Sequence, residues 1–381
     1  MKEKKSAYIL LSVIMLIILL PLLTFNFEQG KISDTENRRL ASFPKLTDSE
    51  GTFNSNYLSD FSAWFEDNLG MRDSFIRLSN SIDYYLLNKS PNPGIAKGNN
   101  GWLYLNEDNN LELATGSYPN FSVDDIRRTC ELQTEVMEKL QAQGIEYALI
   151  LPPSKPSVYP ENIRGGEYTV GTSPADLLAD YILENSCVNV IRLKEALLEE
   201  KNKGQQVYFK TDTHWNDYGA YTAYCSIVEQ LNACGFICSK PVDVSFSAGT
   251  KLGNLSNSIG GIIPEEDTLI STIDNPAAAP IEDSKKTALT DIEESLQGYA
   301  RGVYAFTSPA SSPTVLMYGD SFFAEYMLEY LAENFGSFYF VWSANISQDE
   351  IDTVQPDIVL YDMTELTLNL LAGCNTDFLY A

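Results

Sequence analysis

Residues 315–323 read VLMYGDSFF, an apolar run that stops at Gly319, Asp320 and Ser321 and enters a helix-compatible segment at 322–332 without a linker. A strand-length apolar run closed by a glycine and followed at once by a helix is part of a parallel strand-and-helix unit. The turn puts Ser321 at the carboxyl end of the strand, the edge at which open α/β sheets bind ligands. Gly319 lets the chain turn tightly. A residue at the start of a helix has a backbone N–H with no intrahelical acceptor, available to an oxyanion. Plain N-capping accounts for the same tripeptide, because Asp and Ser are favoured at helix starts.

Outward from this turn the alternation repeats. Residues 147–151, 188–193, 314–318, 337–342 and 357–361 read as strands, with a shorter strand-like run, GWLYL, at 101–105. Between them, 122–143, 175–184 and 217–231 have helical spacing; Ser122 is placed to cap the first, Asp124 and Asp125 sit in its first turn, and Gly144 ends it. Strands alternating with helices predict an α/β domain with a largely parallel sheet. Residues 239–313 break the pattern with Gly, Ser, Pro and Ala clusters such as NPAAAP at 275–280, and read as an insertion or lid.

The chain has 381 residues, 44% of them hydrophobic, enough for one large domain or two smaller ones, and too apolar for disorder. Twenty-six basic residues face 52 acidic ones, a formal charge of -26 that would repel nucleic-acid phosphates, so no nucleic-acid partner is expected. There is one histidine, His214. A multi-histidine metal site is thereby excluded, and neither metal nor cofactor is expected.

The N-terminus begins with Lys2, Lys4 and Lys5, followed by an uncharged run at 7–25. That length is close to the roughly 20 residues that span a bilayer, and the preceding lysines place the short tail in the cytoplasm and the rest outside. Residues 1–28 therefore read as a transmembrane anchor, with a cleaved signal segment as the alternative. Residues 29–100 read as a strap and helical lead-in, and 101–381 as the α/β catalytic domain. In the lead-in, Tyr57, Phe61, Trp64, Phe65 and Leu69, then Phe75, Leu78, Ile82, Tyr85 and Leu86, recur at helical spacing broken near Gly70. They predict two amphipathic helices whose aromatic stripe packs as core. Six cysteines, Cys130, Cys187, Cys225, Cys234, Cys238 and Cys374, are expected to be structural or paired in an oxidising compartment.

The second chemical signal is KTDTHWN at 210–216. In an extended segment residues i and i+2 share a face, which puts Asp212 beside His214. A carboxylate there orients the imidazole through Nδ1–H and stabilises the imidazolium, leaving Nε2 to take a proton from a serine hydroxyl. A lone core or surface histidine is the bland alternative.

Taken with Gly319-Asp320-Ser321, the segment Asp212-Thr213-His214-Trp215 resembles the alginate O-acetyltransferase-like branch of the SGNH hydrolases and the bacterial proteins named for an Asp-His-His-Trp signature. Further matches are Glu36-Asn37-Arg38 with Leu40 and Pro44, Trp64-Phe65 with Arg72-Asp73, Gly101-Trp102-Leu103-Tyr104, and Pro153-Ser154-Lys155 with Tyr159-Pro160. The resemblance implies an SGNH-hydrolase-like three-layer sandwich, with Ser321 as nucleophile, His214 as general base and Asp212 as its orienting carboxylate. It implies acyl transfer to a polysaccharide hydroxyl, and a membrane-embedded partner protein that passes acyl groups across the membrane. Gly319, Asp320, Trp215, Tyr218, Lys155 and Asn254 are secondary candidates for oxyanion or substrate contacts. Trp215 and Tyr218 either stack on a sugar or pack in the core, and Gly253-Asn254 is either an oxyanion element or a turn. Thr213 stands where the signature has its first histidine. The order Asp, His, Ser is that of the acetyltransferase branch. An esterase with the same three residues and a non-catalytic glycan-binding scaffold are the alternatives.

Overall fold

The computed structural model describes residues 2–27, 32–33, 38–47, 51–107, 111, 121–164, 172–237, 239–297, 302–309 and 313–371. The chain divides into two compact units, Met1–Ala96 with Leu252–Pro264, and Lys97–Lys251 with Glu265–Ala381.

The larger unit is built on a seven-stranded sheet in the order Asn189–Arg192, Glu146–Leu151, Ile358–Asp362, Thr314–Tyr318, Ser337–Val341, Val303–Thr307 and Ala279–Pro280. The first five strands are parallel, and the last two pair antiparallel at one edge. The sheet is therefore mixed rather than uniformly parallel. The strand carrying VLMY lies in its interior, with Leu316 opposite both Val359 and Tyr339.

Side chains alternate between the faces of a strand. Tyr147, Leu149, Leu316, Tyr318, Val359 and Tyr361 join one core with Val136, Leu140, Leu178, Ile182 and Val354 of the helices Val123–Gln141, Pro174–Asn185 and Gln348–Val354. The alternate set, Ala148, Ile150, Val315, Met317, Phe338 and Phe340, is buried as well. Both faces are covered, which is why these strands read as continuous apolar runs.

Ser122 caps its helix through a reciprocal pair, its Oγ accepting from the Asp125 N–H at 3.3 Å while Asp125 Oδ2 accepts from the Ser122 N–H at 2.7 Å. The helix expected at 322–332 is broken at Met327, whose φ of -128° is not helical, into Ser321–Tyr326 and Leu328–Ala332. Residues 239–313 contribute more than a lid. They supply a hairpin of Val244–Lys251 with Glu266–Ile273, the helix Ser284–Gln297 with Leu289 in the core, and the two antiparallel edge strands. Of the cysteines, expected to be structural or paired, Cys130, Cys187, Cys225 and Cys234 are free thiols, Cys130 among them buried, and Cys238 and Cys374 lie outside the described residues.

In the smaller unit the N-terminal run forms the helix Lys2–Leu23, which begins in charged residues and holds Pro21 in its last turn. No helix among the described residues is long and apolar enough to cross a membrane, so the expected anchor finds no support in the fold. Ile32–Ser33 pairs with Arg38–Arg39; Glu36 and Asn37 lie outside the described residues. The two amphipathic helices form at Tyr57–Asn68 and Arg72–Ser81. Their stripe is not the buried core expected of it: Phe65 is 37% exposed, Phe75 39% and Leu78 57%. Phe25 packs on Trp64 and Phe65, and Phe43 on Phe61 and Trp64, while Leu78, Tyr85 and Leu86 stay exposed.

Leu316, fully buried in the interior strand, gives a direct test of this architecture. Leu316→Ala is expected to cost about 2–5 kcal/mol, read in urea unfolding as a lower midpoint with an unchanged slope.

Candidate active site

Two segments of the larger unit meet at the carboxyl edge of the sheet. The first is the turn after Thr314–Tyr318. Asp320 is the N-cap of Ser321–Tyr326, its Oδ1 accepting from the Phe322 N–H at 2.9 Å. Asp320 thus takes the capping role, and Ser321 becomes the first helical residue with its hydroxyl free for another use. Gly319 is required by close approach. A Cβ there would lie 2.9 Å from both Cβ and Oδ2 of Asp362 and 3.2 Å from the Phe340 ring.

The second segment is a loop closed by an antiparallel bridge between Tyr208 and Trp215. The Asn216 side chain donates to the Gln206 carbonyl at 2.7 Å and, through Oδ1, caps the following helix at Gly219. Asp212 and His214 sit on this loop and not on an extended strand. Their contact arises because Asp212 Oδ1 accepts from the His214 backbone N–H at 3.0 Å and meets Nδ1 at 2.8 Å, a side chain bonding the backbone two residues on.

The structure brings the three sequence candidates into one line. His214 Nε2 lies 2.8 Å from Ser321 Oγ, and Asp212 and His214 are 2% and 4% exposed, while Ser321 is half-buried at the open end. The imidazole is walled by the Phe322 ring at 4.7 Å and the Tyr326 ring at 5.5 Å. A buried carboxylate on Nδ1 fixes the tautomer that leaves Nε2 as acceptor for the serine proton.

Behind the serine lies a pair of carboxyls, Asp362 buried and Asp320 half-buried. Asp320 Oδ2 accepts from the Thr364 hydroxyl at 2.7 Å, and the Asp320 N–H donates to Asp362 Oδ2 at 3.1 Å. Burial pushes both carboxyls above the ordinary range. For Asp320 the Thr364 hydroxyl, the Phe322 N–H and His214 oppose that push, whereas for Asp362 the neighbouring charge of Asp320 adds to it.

The secondary candidates divide. Trp215 is fully buried, its Nε1–H donating to the Phe322 carbonyl at 3.2 Å, so it packs the two segments together and cannot stack on a sugar. Tyr218 donates to Glu200 at 2.6 Å and lies against Phe246. Lys155 is no oxyanion donor: buried at 2% exposure, it binds the carbonyls of Phe209, Lys210 and Asp212. Asn254 starts the short helix Asn254–Ser258 of the smaller unit. Sequence reasoning passed over Asp362, Thr364 and Glu266. Asp362 closes a strand expected to end at residue 361, and Glu266 lies in the stretch set aside as a lid.

Gly319→Ala is expected to cost about 1–3 kcal/mol through this overpacking. Thermal unfolding of the variant measures it, with a fall in melting temperature expected.

A family model described as an SGNH hydrolase-like domain, acetyltransferase AlgX, matches residues 95–257, which include Asp212 and His214 but not Ser321. The chain is 33% identical over 153 residues to a probable alginate O-acetylase AlgJ of Pseudomonas fluorescens, covering 38% of this chain and 34% of that protein. It is 27% identical over 198 residues to the AlgJ of Pseudomonas syringae pv. tomato, covering 51% and 47%. The chain thus spans about half or less of the length of these relatives. Among solved structures, PatB1 of Bacillus cereus superposes with a TM-score of 0.50 at 18% identity, over 68% of this chain and 94% of that one, a likeness of fold. Family model and relatives agree with the resemblance carried by the motifs: residues 95–257 are similar to the SGNH hydrolase-like acetyltransferase domain, and the chain is similar over part of its length to probable alginate O-acetylases.

Proposed function

We propose that this chain is an O-acyltransferase that moves an acetyl group onto a hydroxyl of a cell-surface or exported polysaccharide through an acyl-enzyme on Ser321. The observation that carries the reading is the line of two 2.8 Å contacts from Asp212 through His214 to Ser321. Ser321 Oγ adds to the acyl carbonyl while Nε2 of His214 takes its proton, and Asp212 stabilises the imidazolium. The Ser321 N–H, first in its helix, faces the developing oxyanion. Collapse of the adduct expels the donor's leaving group, which takes the proton from His214. In the second half His214 deprotonates a sugar hydroxyl, which attacks the acyl carbon and releases Ser321, whose Oγ takes the proton back from His214.

The names of the relatives support a polysaccharide acceptor, since both are called probable alginate O-acetylases. The lysines ahead of the uncharged run at 7–25 support a membrane-anchored chain with this domain outside the cytoplasm. An acyl donor made inside the cell then has to cross the membrane, which calls for a membrane-embedded acyl-transfer partner. With water in place of the sugar, the same three residues form an esterase.

The full chain is expected to release the chromophore of an activated acetyl ester. Ser321→Ala and His214→Gln should lose that activity, and Asp212→Asn should lower kcat by about 10⁴-fold. Equal turnover by Ser321→Ala and the wild type overturns the assignment. Incubation with an acetyl donor and neutral oligosaccharides, followed by mass analysis, should yield O-acetylated sugar; free acetate alone identifies a hydrolase.

A further inference from the structure

The loop that carries Asp212 is gripped by opposite charges from two other parts of the larger unit. On one side the Lys155 ammonium lies 3.3 Å from the Phe209 carbonyl, 3.2 Å from that of Lys210 and 2.5 Å from that of Asp212. Its remaining surroundings are aromatic, with Nζ 5.8 Å from the Trp102 ring centroid and 5.2 Å from that of Tyr104. On the other side Glu266 takes the N–H groups of the same peptides. Its Oε2 accepts from the Lys210 N–H at 2.9 Å, and its Oε1 accepts from the Thr211 N–H at 2.8 Å and the Thr211 hydroxyl at 2.6 Å.

A buried ammonium costs free energy unless its donors are satisfied, and a hydrophobic replacement of equal volume is often neutral or stabilising. Stability therefore gives a weak reason for Lys155 to be here. Geometry gives a stronger one. The carbonyls point to a cation and the N–H groups to an anion, which fixes the plane of the peptides leading into Asp212. That carboxylate must in turn sit within about 0.5 Å of its productive place to orient His214.

We propose that Lys155 and Glu266 are positioning residues, forming a charge clamp on the backbone of residues 209–212 that holds Asp212 against His214 and so sets the rate of acyl transfer. The proposal rests on the acyl-transfer reading above. The charged groups acting on Lys155 are Asp212 and Glu266, and the Tyr104 hydroxyl beside it is kept neutral by burial. Burial pushes the Lys155 ammonium down to about 7, against the pull of those two carboxylates. Below that pH the clamp is complete; above it the amine is neutral and lacks one donor. Between about 7 and the ordinary lysine value of about 10.4, the unfolded chain binds a proton that the folded chain does not. This group's contribution to stability therefore rises with pH in that window. The clamp thus makes activity fall with rising pH while the stability contribution of Lys155 rises. A merely structural role would move the two together.

The test uses the full chain as wild type, Lys155→Met, Glu266→Gln and Ser321→Ala. Steady-state kinetics on an acetyl ester across pH are combined with nitrogen-15 NMR of the imidazole, which has one source because the chain has one histidine. In Lys155→Met, kcat should fall by about 100-fold with KM unchanged, and the wild-type decline above pH about 7 should disappear. The low-field Nδ1–H signal of His214 should persist in Ser321→Ala and be lost in both clamp variants. If Lys155→Met does not fold, Glu266→Gln and the wild-type pH titration of the Nδ1–H signal decide the question. Retention of that signal and of kcat in a folded clamp variant overturns the proposal. Loss of the signal in the clamp variants alongside turnover that does not depend on Ser321 leaves the clamp standing and removes the acyl-transfer reading.

Discussion

The hydrogen bond between His214 Nε2 and Ser321 Oγ joins segments 107 residues apart in the chain, and much of the larger unit serves to make it short. Neither partner has freedom to search for the other. Ser321 is fixed by a helix whose cap is Asp320 and by a turn that only glycine can make beside Asp362. His214 is fixed by the loop bridge, by the Asp212 carboxylate, and by the rings of Phe322 and Tyr326, which belong to the serine's own helix. Trp215, buried next to His214, bonds back to the Phe322 carbonyl. The two segments are thus packed together at several points besides the reacting one. For the proposed acyl transfer, such preorganisation leaves little reorganisation to the chemical step.

The arrangement places several buried or half-buried ionisable groups close to the site. Asp320 and Asp362 lie behind the serine, and Lys155 lies under the loop. Each is costly alone, and each is tied to the backbone that positions the three-residue line: Asp320 to the helix start, Asp362 to the glycine turn, Lys155 to the carbonyls ahead of His214. Charge is spent here on backbone geometry.

What the sequence disclosed follows from how local each signal is. The strands of the parallel sheet are apolar on both faces, so 314–318 and 147–151 were legible as continuous runs. Ser122 and Gly144 punctuated their helix in the expected way. The helix Ser284–Gln297 was not legible, because its core contact narrows to few apolar residues such as Leu289 among charged ones. The edge strands were hidden in the stretch set aside as a lid. At the site, Asp212, His214 and Ser321 could be named because each stands in a short pattern with its own chemistry. Their supports could not. Lys155 was read as an oxyanion or substrate contact, and Glu266 and Asp362 carry no motif, since their roles exist only once distant segments are adjacent. The spacing of Asp212 and His214 was noticed for a reason that does not hold, strand alternation, when a side-chain turn is what joins them.

The central claim is that Ser321 carries the acyl group between donor and acceptor. It is tested most directly by rapid quenching of the full chain with an activated acetyl ester, followed by intact mass measurement and peptide mapping. One acetyl group per chain, formed before steady-state release and located on Ser321, is the predicted result. Turnover that proceeds with no acetyl group on Ser321 at any time, or with the group on another residue, would contradict it.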